Sequence, residues 1–276
     1  MKYFFDTEFL EGTQKTWLGK TKPTIDLISI GIVSEDNRQY YAISKDFNLK
    51  EAWNRYDIIE HARNVDNGGL EAYIDTIPEK RLYWIRENVL KPIFNEWKME
   101  SNGKIIRLGL PTPLNEMEFN YKNFKYCISC IGKTNAQIAE EIQSFVYYTG
   151  WEVDPPIHAQ KLKENGSIEF YAYFADYDWV VFCWLFGSMM NLPKGFPMYC
   201  IDLKQDLDRI ANNKAWYYHE HILSSISYDK DRPATFEEKL NRLKAHQDYP
   251  QQVNEHNALA DAKWNKRLYE FLQDVK

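Results

Sequence analysis

The stretch "MKYFFDTEF" at residues 1–9 decides the fold, because its alternation is that of a strand. Tyr3, Phe5 and Thr7 fall on one face, and Phe4, Asp6 and Glu8 on the other. Two acids therefore share a face with an apolar residue that should point inward. Further along, "IDLISIGIV" (25–33) and "RQYYAIS" (38–44) read as strands separated by the turn-like "SEDN" at 34–37. A Gly/Thr/Lys-rich connection at 12–24 precedes them. Three strands with short connections predict an antiparallel meander.

Helical patterning takes over after the meander. Residues 78–98 read as a helix with a proline near its start and a second, Pro92, placed to kink or end it. "TNAQIAEEIQSFVYY" (134–148) opens with a Thr134/Gln137 capping box and spaces Ile138, Ile142, Phe145 and Val146 helically. Strand "IEFYAYFA" (168–175) is followed by helix "DWVVFCWLFGSMM" (178–190). Strand "MYCI" (198–201) again precedes a helix, and 233–245 and 258–273 are helical. Three antiparallel strands followed by alternating helices and strands predict an α/β fold with a mixed sheet flanked by helices. No repeat or low-complexity tract breaks the chain, so the weakly patterned parts read as insertions on one domain spanning 1–276.

Composition narrows the function classes. Of the 276 residues, 44% are hydrophobic and 27% charged, an ordinary globular balance. The net charge of −6 argues against a protein that holds long nucleic acid by a general basic surface, but not against one that grips a strand end through metal ions. No run of 18 apolar residues predicts a membrane helix. The N-terminus reaches an acid by position 6, too early for a signal-peptide core, so a cytoplasmic location is expected. Cys127, Cys130, Cys183 and Cys200 are too scattered for a disulfide framework, and "CISC" (127–130) is half of a zinc site without a second half. Nineteen Tyr and nine Trp can stack on bases or simply fill a core.

Acids placed where burial is costly carry the functional reading. Asp6 and Glu8 are the first such pair, although a lone D-x-E at a strand end is also common at loop edges. In "YFADYDWVVF" (173–182), Asp178 opens an almost wholly apolar helix, where it serves either as a cap or as a functional acid. Asp176 competes with it, but Asp178 is better aimed at the strand ends. In "HNALADA" (256–262), Asn257 is a natural cap. Asp261 continues the stripe Trp264, Leu268, Leu272 upward by one turn. His256 stays outside the helix, five residues from Asp261 and not on its face. The different directions suggest a ligand (Asp261) and a proton acceptor (His256). Two unit charges about 4 Å apart repel by roughly 4 kcal/mol at an effective dielectric of 20, so four clustered carboxylates call for protons or cations. Mg²⁺ or Mn²⁺ prefers such oxygen ligands, and two of them form a clamp for in-line attack on phosphodiesters.

"DTEF", "YFADYDWVVF" and "HNALADA" resemble, in order, the three motifs of the DEDDh superfamily of 3′–5′ exonucleases, which have a ribonuclease H-like fold. The nearest resemblance is to the bacterial polyadenylate-specific 3′-exoribonuclease AS family. It extends to "LISIGIVSEDNRQYYAIS", "WIRENVL", "IAEEIQSFV" and "CWLFGSMMNLPKGFPMYCIDLKQ", and covers most of 1–98, 133–149, 168–213 and 254–276. The resemblance implies that Asp6, Glu8, Asp178 and Asp261 hold two Mg²⁺ or Mn²⁺ ions and that His256 is the general base. It also implies that Phe9 and Leu10 lie beside the terminal base and ribose, and it suggests a homodimer. The expected activity is removal of nucleotides from the 3′ end of single-stranded RNA, releasing 5′-monophosphates. A DNA 3′-exonuclease of the same chemistry is the alternative, and a catalytically silent nucleic-acid-binding module a further one. The chain departs from the compact pattern in insertions at 99–132, 150–166 and 214–253. There "NYKNFKY" (120–126) and "KAWYYHEH" (214–221) interleave bases with aromatics, weak signals for nucleic acid beside ordinary packing. His219 and His221 read as surface residues.

Overall fold

A computed structural model describes residues 1–15, 19, 21–59, 80–100, 114–147, 167–213 and 235–275. They fall into two units, one formed by residues 1–47 and 131–276 and the other by 48–130.

The first unit is built on a five-stranded mixed sheet. Strands β1 (Lys2–Lys15), β2 (Thr21–Ser34) and β3 (Gln39–Ile43) form the predicted antiparallel meander. Strand β6 (Glu169–Ala172) pairs parallel to β1, and β7 (Ile201–Asp202) parallel to β6, giving the order β3-β2-β1-β6-β7. The fold is therefore α/β with a mixed sheet, as expected. The connection expected at 12–24 is different. Gly12, Thr13, Gln14 and Lys15 pair with Thr24, Pro23, Lys22 and Thr21, so most of that stretch is strand. Backbone pairing alone sustains such a polar ribbon, which has no apolar alternation to betray it.

Alternation along β1 splits the core in two. Tyr3 and Phe5 enter a cluster with Ile30, Ile32, Ile138, Ile142, Phe170 and Phe182. Phe4 enters the opposite one, with Leu203, Leu207, Trp264, Leu268 and Leu272. Helices α4 (Asn135–Tyr147) and α5 (Ala175–Leu185) cover the first face. Helices α6 (Leu203–Ala211), α7 (Phe236–Lys244) and α8 (Ala258–Asp274) cover the second. The capping box of α4 is formed: the Thr134 N–H donates to Gln137 Oε1 at 2.9 Å, and the Gln137 N–H donates to Thr134 Oγ1 at 3.1 Å.

Several boundaries shift from expectation. Lys80–Leu82, expected to lie in the helix at 78–98, are strand because their backbone pairs with Asp57–Ile59, and the strand expected at 168–175 ends at Ala172. Helix α5 begins at Ala175 and ends at Leu185, just before Gly187 takes a left-handed φ of 89° that stops the helix. Strand β7 is shorter and later than "MYCI", because only Ile201 and Asp202 find partners on β6. Met198 and Tyr199 are exposed.

The second unit holds α1 (Leu49–Asn54), the strand pair β4 (Asp57–Ile59) and β5 (Lys80–Leu82), α2 (Lys91–Glu100) and α3 (Tyr121–Ile131). Pro92 neither ends nor breaks α2. A π-helical turn at Arg86–Leu90 precedes it, with the Lys91 N–H bonded to the Arg86 carbonyl. Widening the helix there accommodates a residue that lacks a donor and whose ring crowds the preceding turn. Helix α3 occupies part of the stretch expected to be weakly patterned. Phe124, Cys127 and Ile128 form its buried face, a helical spacing that the surrounding Lys and Tyr residues concealed. "NYKNFKY" thus contributes Phe124 to a core with Trp53, Phe94, Trp97 and Phe119. Residues 150–166 and 214–234, including "KAWYYHEH", His219 and His221, lie outside the described residues.

Candidate active site

Strand β1 runs past the end of β6. The last β1–β6 pair is Phe4 with Tyr171, so beyond it the side of β1 that faced β6 has no strand partner among the described residues. The Thr7 N–H is satisfied instead by Asp178, donating to its Oδ1 at 2.9 Å, and the Thr7 hydroxyl donates to the same oxygen at 2.5 Å. Asp178 lies in the first turn of α5 with 6% of its surface exposed, whereas Asp176 is exposed. The structure therefore brings Asp178, and not its neighbour, to the strand that carries Asp6 and Glu8. The expectation that Asp178 itself starts the helix is corrected: Ala175 does, with Phe174 before it in a left-handed conformation at φ 55°.

Helix α8 delivers the remaining acid from the far end of the chain. Asn257 caps it, its side chain accepting from the Ala260 N–H at 3.0 Å. The helix start rests directly on β2 at Gly31, the residue paired with Asp6. A Cβ at Gly31 would lie 2.3 Å from the Ala258 carbonyl oxygen and 2.4 Å from Leu259 Cα. Glycine is required here by the close approach of a helix backbone. As a result Asp6, Glu8 and Asp261 each offer an oxygen within 4.8 Å of the others. Substitution of Gly31 by alanine should cost about 1–3 kcal/mol of stability by overpacking. It should also weaken Mn²⁺ binding by the folded protein, measured by calorimetric titration, because Asp261 is carried away with its helix. Unchanged Mn²⁺ affinity would show that the helix start does not set the carboxylate spacing.

His256 sits at the helix entrance with φ 66°, half-buried. Its backbone N–H donates to Asp261 Oδ2 at 2.9 Å, and Gln252 Nε2 donates to Asp261 Oδ1 at 2.6 Å. The five-residue spacing thus closes a loop in which the histidine backbone orients the aspartate. Thr7, Gly31 and Gln252 were not singled out from the sequence. Gly31 lies within "IDLISIGIV", where a glycine inside a strand is itself a sign of close backbone approach. No sequence signal pointed to Gln252.

Immediately after Glu8 the β1–β2 register shifts: Glu8 faces Ser29 and Phe9 faces Leu27. Such bulges redirect side chains beside functional sites. The Phe9 ring stacks on Tyr177, with centroids 5.7 Å apart and planes at 29°. Leu10 is buried, with 1% of its surface exposed.

The electrostatics follow from crowding acids together, Asp6 and Glu8 half-buried and Asp178 and Asp261 buried. Burial raises the Asp6 carboxyl well above its ordinary range, helped by the charges of Asp178, Glu8 and Asp261. Glu8 is pushed up to about 8 by burial, then by Asp261 and Asp178. Asp178 rises to about 6 through burial, against the lowering effect of the Thr7 hydrogen bonds. Burial raises Asp261 too, opposed by Gln252 and the His256 N–H. A set of oxygen-only donors that resists ionisation fits a hard divalent cation, and Asp6, Glu8 and Asp261 could hold a metal ion.

That arrangement fixes a pH dependence. An unfolded chain releases the Glu8 proton near its ordinary 4.5, whereas the folded chain holds it to about 8. Between those values the folded state binds more protons, so stability falls as pH rises. In EDTA the melting temperature should decline from about pH 5 to about pH 8 through this cluster. Added Mn²⁺ should raise it more at the upper end than at the lower. A metal-free melting temperature whose decline is the same in Glu8→Gln would contradict this origin.

No helix among the described residues is long and apolar enough to cross a membrane. No family model matches the chain. It is similar to two curated proteins of Mycobacterium tuberculosis, from strains CDC 1551 / Oshkosh and ATCC 25618 / H37Rv, named 3′-5′ exoribonuclease MT2234.1 and 3′-5′ exoribonuclease Rv2179c. Each is 26% identical over 205 residues, which is 74% of this chain and 73% of the relative. This similarity supports a relationship to the 3′–5′ exonucleases.

Proposed function

We propose that the protein is a metal-dependent 3′–5′ exoribonuclease of the DEDDh type, with a ribonuclease H-like fold, nearest in kind to the polyadenylate-specific 3′-exoribonuclease AS family. The observation that carries the reading is the convergence of Asp6, Glu8 and Asp261, with Asp178 hydrogen-bonded to the same strand. The names of the two mycobacterial relatives supply the independent support for RNA and for 3′ polarity.

In this reading Asp6, Glu8, Asp178 and Asp261 hold two Mg²⁺ or Mn²⁺ ions. When bound, such ions neutralise phosphate charge and make water a better nucleophile. His256 takes the proton of the attacking water, and Gln252 and the His256 N–H keep both Asp261 oxygens oriented. Phe9 is the contact to the terminal base, with Tyr177 behind its ring. Leu10 contributes as the buried wall next to it rather than as an exposed surface. The chain acts as one exonuclease domain in which residues 48–130 are an elaboration between β3 and α4, and it pairs as a homodimer in the cytoplasm.

End-labelled RNA and DNA of equal sequence, offered with Mn²⁺, test the reading. With a 5′ label, RNA should shorten as a ladder from the 3′ end, DNA more slowly, and a 3′-phosphate should retard both. Early release of the labelled 5′ mononucleotide would reverse the polarity. Equal rates on the two polymers would make the protein a general 3′-exonuclease.

A further inference from the structure

The second unit carries a surface that the carboxylate chemistry does not use. Strands β4 and β5 pair Asp57 with Leu82 and Ile58 with Arg81, so Tyr56 and Tyr83 stand opposite each other one step past the ladder. Their rings meet at 5.8 Å. The Arg81 guanidinium lies 4.4 Å from the Tyr56 centroid. That of Arg86 lies 3.8 Å from Tyr83 and 5.7 Å from Trp53. The spatial order is Arg81, Tyr56, Tyr83, Arg86, Trp53: two touching tyrosines bracketed by guanidinium groups, with the tryptophan beyond the second.

Trp53 ties this row to the core, but its Tyr56 end is not core packing. Tyr56 keeps 41% of its surface exposed and Ile58 keeps 51%. Its charge runs against that of the whole chain. Residues 80–91 hold Lys80, Arg81, Arg86 and Lys91 against Glu87 alone, in a protein of net charge −6. Glu87 is already engaged by Arg86 at 3.2 Å and Lys91 at 2.9 Å, and Glu51 by Arg55 at 3.1 Å. A guanidinium lying on a ring still presents its N–H edge to a phosphate. Exposed ring faces accept bases of any sequence. An acidic peptide would use the cations and leave the rings idle, whereas single-stranded RNA uses both.

We propose that the β4–β5 face binds single-stranded RNA, with bases against Tyr56 and Tyr83 and phosphates at Arg81 and Arg86. It provides a grip on the strand separate from the 3′-end site, and it rests on the RNA-cleaving reading of that site. A locally cationic, aromatic patch is what an acidic protein needs to retain a polymer that its overall charge repels.

The test is fluorescence anisotropy of a fluorescein-labelled 20-residue oligouridylate in EDTA, where cleavage is off. The double variant Tyr56→Ala/Arg81→Gln should lose about tenfold or more in affinity. Arg81→Gln alone should lower the salt slope of log affinity by about 0.7. Arg81→Lys keeps the charge but loses the planar stack, and serves if the double variant misfolds; it should weaken binding at an unchanged salt slope. The same charge change at exposed Lys244 (Lys244→Gln) should leave affinity within about twofold. Wild-type affinity in a folded double variant, or in Arg81→Lys should that be the one tested, overturns the proposal. So does an oligoglutamate that binds as tightly as the RNA and loses affinity in the same variants. Because metal is absent, failure of the cleavage reading shows up separately, as no shortening of RNA by the wild type with Mn²⁺, while the binding loss would stand.

Discussion

Substitution of Asp6 by asparagine is expected to reduce RNA cleavage by more than about 10²-fold while leaving the fold intact. Changing even an outer-shell partner of a metal site typically costs about 10–100-fold, and Asp6, which offers an oxygen within 4.8 Å of those of Glu8 and Asp261, could hold the ion itself. The same change removes the group on which the repulsion converges, since Asp178, Glu8 and Asp261 all raise its carboxyl. The metal-free variant should therefore melt at the same temperature as the wild type or higher, and its Mn²⁺-induced stabilisation should shrink. Cleavage at near wild-type rate would remove Asp6 from the site. Lower activity combined with a large loss of metal-free stability would make it a structural acid instead.

The second large effect separates His256 from Asp261. His256→Ala should lower the rate by about 10²–10⁴, the usual worth of a positioned general base. It should leave Mn²⁺ affinity unchanged, because the contact to Asp261 comes from the residue 256 backbone N–H, which alanine keeps. Asp261→Asn should weaken Mn²⁺ binding itself, and excess Mn²⁺ should restore part of its activity. Calorimetric titration of both variants decides between the roles. A loss of metal affinity in His256→Ala as large as in Asp261→Asn would make the histidine a ligand. The left-handed backbone at His256 adds a control: His256→Gly keeps that conformation at lower cost, so it should match the alanine variant in rate and metal binding.

Much of the architecture was legible because it rests on local periodicity. The alternation of Tyr3, Phe4 and Phe5 marks β1 as a strand with Phe4 inward, and the structure places these residues in two separate cores, one on each face. The Asn257 cap and the stripe from Asp261 to Leu272 are stated by helical spacing alone, and α8 starts at Ala258 as that spacing predicts. The acids stood out for the same reason, as charges on faces otherwise apolar. Where periodicity was absent the reading failed. The polar ends of β1 and β2 form a ribbon because their backbones pair, which no side-chain pattern records.

By itself, then, the sequence determined an α/β chain with a meander at its start and acids on buried faces near residues 6, 178 and 261, because these follow from which side chains avoid water. Only the tertiary structure decided how those acids meet. Thr7 draws in Asp178 because the β1–β6 pairing ends at Phe4 and Tyr171 and leaves a backbone N–H in need of an acceptor. Gly31 admits the start of α8 because a backbone can come that close only where no Cβ stands. Gln252 and the His256 N–H orient Asp261 because the loop before α8 folds back over it. Each of these contacts joins a donor or a missing atom in one segment to a need in another, and that complementarity exists only once the chain has packed.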